Sequence, residues 1–255
     1  MQSLADAVAT GDPDRFAATM AAPPAARARL WPLYALNLEL ARAPWASTQP
    51  MLAEMRLQWW IDALAPPVAN TPPANTPEVL RAVADLMAET GLPVALLTGI
   101  AEARRRDCWD EPFADDAALW AYLEATSGNL MWAAARVLGA PEAAAPVVRD
   151  HAAAAGLANW LLALPELVRR GRAVMPEVAA LRALAQTGLA RHARAAAARP
   201  AVPKVAAPAL YTGWQARAIL AQAAADPGLV AAGGLGQSEF ARRAGLVRLA
   251  LTGRW

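Results

Sequence analysis

Several things are scarce in this 255-residue chain, and each scarcity excludes something. Cys108 is the single cysteine, so no intrachain disulfide can form and a reducing compartment suits the protein. The two histidines, His151 and His192, stand in no Cys/His spacing, which argues against a zinc site. Phenylalanine and tyrosine number three each, whereas tryptophan numbers ten. No phosphate-cradling glycine loop or dinucleotide fingerprint occurs, and Ser127-Gly128 lacks the strand and flanking glycines of a nucleophile elbow. The uncharged stretch His151 to Pro165 falls short of the ~20 residues that a membrane-spanning helix requires. The opening Met-Gln-Ser-Leu-Ala-Asp has neither a basic region nor an apolar run, so it does not read as a signal peptide. These features lead to the expectation of a cytoplasmic protein, soluble or at most peripheral on the inner membrane.

What is plentiful is helix-forming. Hydrophobic residues make up 56% of the chain and alanine dominates them, which favours helix throughout. No run of alternating β-branched residues is present. Asp12-Pro13-Asp14 supplies a cap and a first-turn proline for an opening helix. Pro23-Pro24 interrupts that helix, and the next runs to about Arg42, where Pro44 stops it. A third begins after Ser47-Thr48 and ends before Pro66-Pro67. The Pro/Asn/Thr-rich segment Ala65–Thr76 reads as an exposed loop. A helix then closes at Thr90-Gly91, and others follow at about 93–107, 115–138, 143–164, 177–198, 205–225 and 237–252. The glycine-rich segment Asp226–Gly236 reads as mobile. No repeat or composition break divides the chain, so the reading is one all-α domain over 1–255, a helical bundle around a central cavity.

The formal charge of +2 conceals an asymmetry. Residues 1–177 carry 14 basic and 20 acidic side chains, and residues 178–255 carry 10 basic and 2 acidic. A basic C-terminal third is suited to an anionic membrane surface or an acidic partner. No aromatic residue interleaves with the arginines of 182–199, which disfavours nucleic acid.

Two groups of motifs carry a resemblance. The first is Tyr34-Ala-Leu-Asn37, followed by Leu38-Glu39-Leu40-Ala41-Arg42-Ala-Pro-Trp45 and then Met55-Arg-Leu-Gln-Trp59-Trp60. The second is Gly156-Leu-Ala-Asn159 with Arg170-Gly-Arg172-Ala-Val-Met-Pro176, and Tyr122-Leu-Glu-Ala-Thr-Ser-Gly128 adds a weaker match. Their order and spacing resemble the squalene/phytoene synthase family, all-helical enzymes that join prenyl diphosphates. The match is strongest over 13–200, and 201–255 is a basic helical C-terminal part. In that family each of two facing helices supplies aspartates that hold magnesium on the diphosphate. Magnesium requires oxygen ligands. Here the matching positions are Ala41, Arg42 and Trp45 on one helix, and Ala163 and Leu167 on the other. Glu39 lies two residues too early, turned about 200° from position 41, and Glu166 stands beside Leu167.

The resemblance therefore implies no catalytic or metal-holding residue and no cofactor. Magnesium belongs only to an alternative reading, a divergent prenyl-diphosphate transferase of isoprenoid biosynthesis with altered ligands. The segments around Asn37, Trp59-Trp60 and Leu161–Pro165 resemble a branch that lacks the aspartates, the phytoene-synthase-like complex I assembly factors. Their resemblance implies a non-catalytic protein acting in respiratory complex assembly, with assembly intermediates as partners, or a scaffold for an isoprenoid or lipid. Tyr34, Asn37, Trp59, Gly128, Asn159, Glu166 and Arg172 are the candidates to line a cavity or meet a ligand. Against each stands a plainer role. Glu54, Gln58 and Asp62, at i, i+4 and i+8, form a polar stripe best read as a solvent face. One of Trp59 and Trp60 belongs to the core, and Asn159 needs a hydrogen-bond partner wherever it is buried.

Overall fold

A computed structural model describes residues 3–65, 76–109 and 111–255. Among them every regular element is helical. They comprise α1 (Leu4–Gly11), α2 (Pro13–Met20), α3 (Pro24–Arg42), α4 (Pro50–Leu64), α5 (Glu78–Thr90), α6 (Val94–Ala103), α7 (Asp116–Leu123), α8 (Asn129–Val137), α9 (Ala145–Arg169), α10 (Val178–Ala197), α11 (Ala216–Ala225), α12 (Gly228–Ala231) and α13 (Glu239–Thr252). The loop expected at Ala65–Thr76 lies almost wholly outside the described residues. No described helix is long and apolar enough to cross a membrane.

Local chemistry sets most boundaries. The Asp12 side chain accepts from the Arg15 amide at 3.0 Å, with Pro13 next to it in the first turn. Gly91, at φ +64°, closes α5 in the left-handed conformation that L side chains avoid. One helix was not expected. α1 is opened by a reciprocal capping box, in which Ser3 Oγ accepts from the Asp6 amide and Asp6 Oδ2 accepts from the Ser3 amide, each at 3.2 Å.

Further features differ from the sequence reading. The helix expected at about 205–225 begins only at Ala216, after a 3-10 stretch over Ala207–Gly213. α9 runs through Pro165 to Arg169 rather than ending near 164. A proline removes one helix hydrogen bond, and buried Leu161 and Leu164 hold the helix across the gap. Its end is then closed by Gly171, at φ +71°, and by the Arg172 amide donating to the Leu167 carbonyl at 2.8 Å. Between α7 and α8 the chain widens into a π-helical turn over Glu124–Gly128. The glycine-rich segment after α11 is tied rather than loose. Gln222 Nε2 donates to the Gly236 carbonyl at 2.7 Å, Gln222 Oε1 accepts from the Gly236 amide at 3.0 Å, and Val230 of α12 is fully buried.

α9 is the axis of the fold and spans about 37 Å. Every residue from His151 to Ala158 is buried because α8, α10 and α11 surround that half. Alanines at 152–155 let the neighbours approach. Gly188 of α10 goes further, since a Cβ there would lie 2.9 Å from Leu157 Cδ2 and 3.0 Å from Leu220 Cδ1. Beyond Ala158 the surroundings thin, and Asn159, Leu162 and Ala163 are exposed. That exposed half of α9 is one wall of a large cavity.

Candidate functional site

The cavity has a volume of about 620 Å³, within the ~300–1,000 Å³ typical of small-molecule sites. α9 contributes Gly156, Asn159, Trp160, Ala163 and Leu167; α7 contributes Leu119, Tyr122 and Leu123; the π-turn adds Thr126 and Ser127. The turn Arg104–Cys108, the segment Arg172–Pro176 and Trp45 complete it. The π-turn and α9 meet closely because residue 156 is glycine. A Cβ there would fall 2.7 Å from Ser127 Oγ.

One end of the cavity is polar. The Tyr122 hydroxyl donates to Asp107 Oδ2 at 2.7 Å, and Arg104 approaches the same oxygen at 3.5 Å. Burial pushes the Asp107 carboxyl above its ordinary range, while the Arg104 charge and the Tyr122 bond pull it back. Burial raises the Tyr122 phenol as well. Arg172 donates to the carbonyls of Asp107 and Cys108, each at 3.3 Å. Arg106 lies 3.6 Å over the Phe113 ring, which itself meets Trp160 edge-on. Burial lifts the Cys108 thiol to about 11, so it is no nucleophile at neutral pH. The rim carries Trp45, with Arg170 and Arg172 at 5.1 and 5.2 Å from its ring.

The structure brings three of the sequence-derived aspartate positions to this one cavity: Trp45, Ala163 and Leu167. Ala41 is half-buried and outside the lining. Indole, methyl and isobutyl groups offer no oxygen donor, so these positions do not fit a magnesium cluster. Among the described residues no three of His, Cys, Asp and Glu are grouped to hold a metal ion.

Of the cavity candidates, Asn159 and Arg172 line the space. Asn159 is exposed rather than buried, so it has no need of the protein partner expected for it. Tyr34, Asn37, Gly128 and Glu166 lie outside that lining. Tyr34 is buried behind the cavity under Arg15, 5.0 Å from its ring, and burial lifts its hydroxyl to about 12. Asn37 is buried and accepts from Arg104 at 3.5 Å, so it braces the polar end from outside. Gly128 is buried in the π-turn, where a Cβ would meet nothing nearer than 3.5 Å. Gly156 is the glycine that close packing requires. Glu166 points outward to Arg169 and Arg170, whose hydrogen bonds hold its carboxyl down at about 2.

Trp59 lines a second space of about 530 Å³, together with Trp60, Glu39, Arg42 and Arg56. Glu39 sits 3.8 Å from Arg42 and 3.9 Å from Arg56 there, outside the lining of the main cavity. Trp60 is the core member of the tryptophan pair and Trp59 the exposed one. The polar stripe of α4 is not a bare solvent face, because Arg105 bonds Glu54 at 3.2 Å and also reaches Gln58.

Sequence reasoning missed Arg104, Arg106 and Asp107. The signal was present in the run Arg104-Arg105-Arg106-Asp107 between two helices, but only tertiary packing puts it opposite Tyr122.

Comparison with known proteins agrees with this geometry. The family model for squalene/phytoene synthase matches residues 8–241. A crystal structure of a dehydrosqualene synthase in complex with ligand superposes with a TM-score of 0.73 over 96% of this chain and 93% of that chain, at 13% sequence identity. At that identity the likeness concerns the fold. No curated protein sequence matches the chain.

Proposed function

The chain belongs to the squalene/phytoene synthase family, and from that premise we propose that it is a non-catalytic member whose cavity holds an isoprenoid or lipid chain. The observation that carries this reading is the lining itself. The positions that the resemblance matches to magnesium-binding aspartates, Trp45, Ala163 and Leu167, are apolar and line the cavity. Replacing carboxylates by apolar groups removes the means of drawing off a diphosphate leaving group and extends the apolar wall, which suits a hydrocarbon chain. Asp107, Tyr122 and Arg104 at the polar end are suited to orienting a hydroxyl or carbonyl head. The role we propose for such a scaffold is in respiratory complex assembly; that part rests on the likeness of the segments around Asn37, Trp59-Trp60 and Leu161–Pro165 to aspartate-lacking assembly factors.

The purified protein is mixed with farnesol and with farnesyl diphosphate, with and without magnesium. Tryptophan fluorescence reads binding, since Trp45, Trp109 and Trp160 line the cavity, and product extraction reads turnover. The expected result is magnesium-independent binding of farnesol that Ala163→Phe weakens, with no diphosphate release. Magnesium-dependent release of diphosphate would overturn the non-catalytic reading. For assembly, deletion of the gene is expected to lower complex I on blue-native gels, and an unchanged amount and activity would refute that role.

One observation favours a second reading, a divergent transferase. Arg104, Arg106 and Arg172 all line the same cavity, and three guanidinium groups can receive a diphosphate. The same incubation separates the two.

A further inference from the structure

Independently of what the cavity holds, we propose that the outward face of α13 docks this protein on an anionic lipid bilayer. The face follows from spacing. Phe240, Ala244, Val247 and Leu251 recur at i, i+4, i+7 and i+11, within about 60° of arc on a 3.6-residue helix. Phe240 is 83% exposed, Val247 58% and Leu251 81%. The opposite face of α13 is already engaged: Leu249 is buried, Leu246 packs on the core, Gly245 meets the Trp214 ring, and Arg242 pairs with Asp14. The exposed stripe is therefore a second apolar face on a helix whose first is satisfied.

Charge identifies the occupant. Four of the nine arginines in residues 178–255 pair with carboxylates within the chain, Arg191 with Glu124 and Asp150, Arg194 with Asp150, Arg242 with Asp14 and Arg243 with Glu239. Among the described residues no carboxylate side chain pairs with Arg199, Arg248 or Arg254. Arg182 and Arg217 have no carboxylate partner among the described residues either, but Arg199, which bonds the Trp255 carbonyl oxygen, Arg248 and Arg254 are the ones close enough to act on one another. Burial, and then the charges of Arg254 and Arg248, lower the Arg199 guanidinium below its ordinary pKa. Arg248 and Arg254 are exposed and lie three residues to either side of Leu251. An apolar stripe beside uncompensated arginines matches a bilayer surface, where acyl chains accept the stripe and lipid phosphates accept the guanidinium groups. A second copy fits worse. A twofold contact through this stripe would bring Arg248 and Arg254 of both copies together, and four apolar side chains fall short of the about 800 Å² per partner that a stable dimer buries.

The test is flotation of the full-length protein with vesicles of phosphatidylcholine alone and of phosphatidylcholine with about one-third phosphatidylglycerol. The protein is expected to float with the anionic vesicles, to be released by salt, and to stay behind with neutral ones. Arg248→Ser and Arg254→Ser are each expected to weaken binding roughly fivefold. Phe240→Ser with Leu251→Ser is expected to abolish flotation while leaving the circular dichroism and melting unchanged, because both side chains are exposed. Trp45→Ser, at the cavity rim, is expected to leave flotation intact. Equal flotation with neutral vesicles, or none with anionic ones, overturns the proposal. So does flotation that survives the α13 changes but fails with Trp45→Ser, or a dimer in sedimentation that those changes dissolve without any vesicle binding.

Discussion

His151 makes the stability of this protein depend on pH in a way that can be calculated. Its ring is fully buried in α9, with Nε2 3.0 Å from the Leu210 carbonyl and its faces against His192 and Trp255 at centroid distances of 5.3 and 4.7 Å. Burial lowers its pKa to about 3, with the His192 charge adding to the shift and the Leu210 bond opposing it. The neutral ring must therefore donate from Nε2 to Leu210. The unfolded chain takes up this proton near pH 6.5, whereas the folded chain resists until about 3. Stability is then complete above pH 6.5 and drains away as pH falls towards 3. At about 1.36 kcal/mol per pH unit, the loss from this one group is about 2 kcal/mol at pH 5 and about 3 kcal/mol at pH 4.

His151→Gln keeps an N–H donor near Leu210 and removes the titration. At about pH 7.5 it is expected to be less stable than the parent by about 1–2 kcal/mol, from lost ring contacts. As pH falls the two should converge and then cross, because only the parent pays the protonation term. His192 does not blur this difference. Its own lowered pKa comes from burial, Arg217 and Arg199, and it titrates in both proteins. Urea unfolding followed by circular dichroism between about pH 7.5 and about pH 4 measures the difference. Parallel stability curves for the two proteins would refute the reasoning.

Two further outcomes are expected. Gly188→Ala puts a methyl group within 3.0 Å of Leu157 and Leu220, so thermal melting should report a loss of about 1–3 kcal/mol from overpacking between α10, α9 and α11. Tyr122→Phe removes the hydrogen bond to Asp107 while keeping the ring against Phe113 at 5.4 Å. Denaturant unfolding should show a loss of about 1–3 kcal/mol that grows as the pH rises and the Asp107 carboxyl ionises.

Much of the fold was legible because helix formation is local. Alanine propensity, Asp12-Pro13, Pro24, Pro50 and Gly91 act within one turn of themselves, so they set most boundaries correctly. The misses also have local explanations. The Ser3–Asp6 capping box is local and visible in the sequence, whereas the continuation of α9 past Pro165 depends on Leu161 and Leu164 being buried by other helices. Gly128 was singled out because it is a glycine within a helical pattern. The glycine that matters is Gly156, and that depends on Ser127 of the π-turn lying against it.

The sequence alone determined that the chain is all-α and that Glu39 points away from position 41. These are statements about residue identity and helical angle, and a 3.6-residue period transmits them without reference to the rest of the molecule. That Ala41, Trp45, Ala163 and Leu167 match the family's aspartate positions is what the resemblance of the surrounding motifs implies. Tertiary structure alone decided that Trp45, Ala163 and Leu167 share one cavity, that Arg104, Asp107 and Tyr122 form its polar end, and that Glu166 takes no part. It also decided what the basic C-terminal third means. Partners such as Arg194 with Asp150 and Arg242 with Asp14 are 44 and 228 residues apart, and no local pattern encodes such a pairing. Helix packing brings those charges together, and among the described residues it leaves Arg248 and Arg254, to either side of Leu251, without a carboxylate side chain as partner.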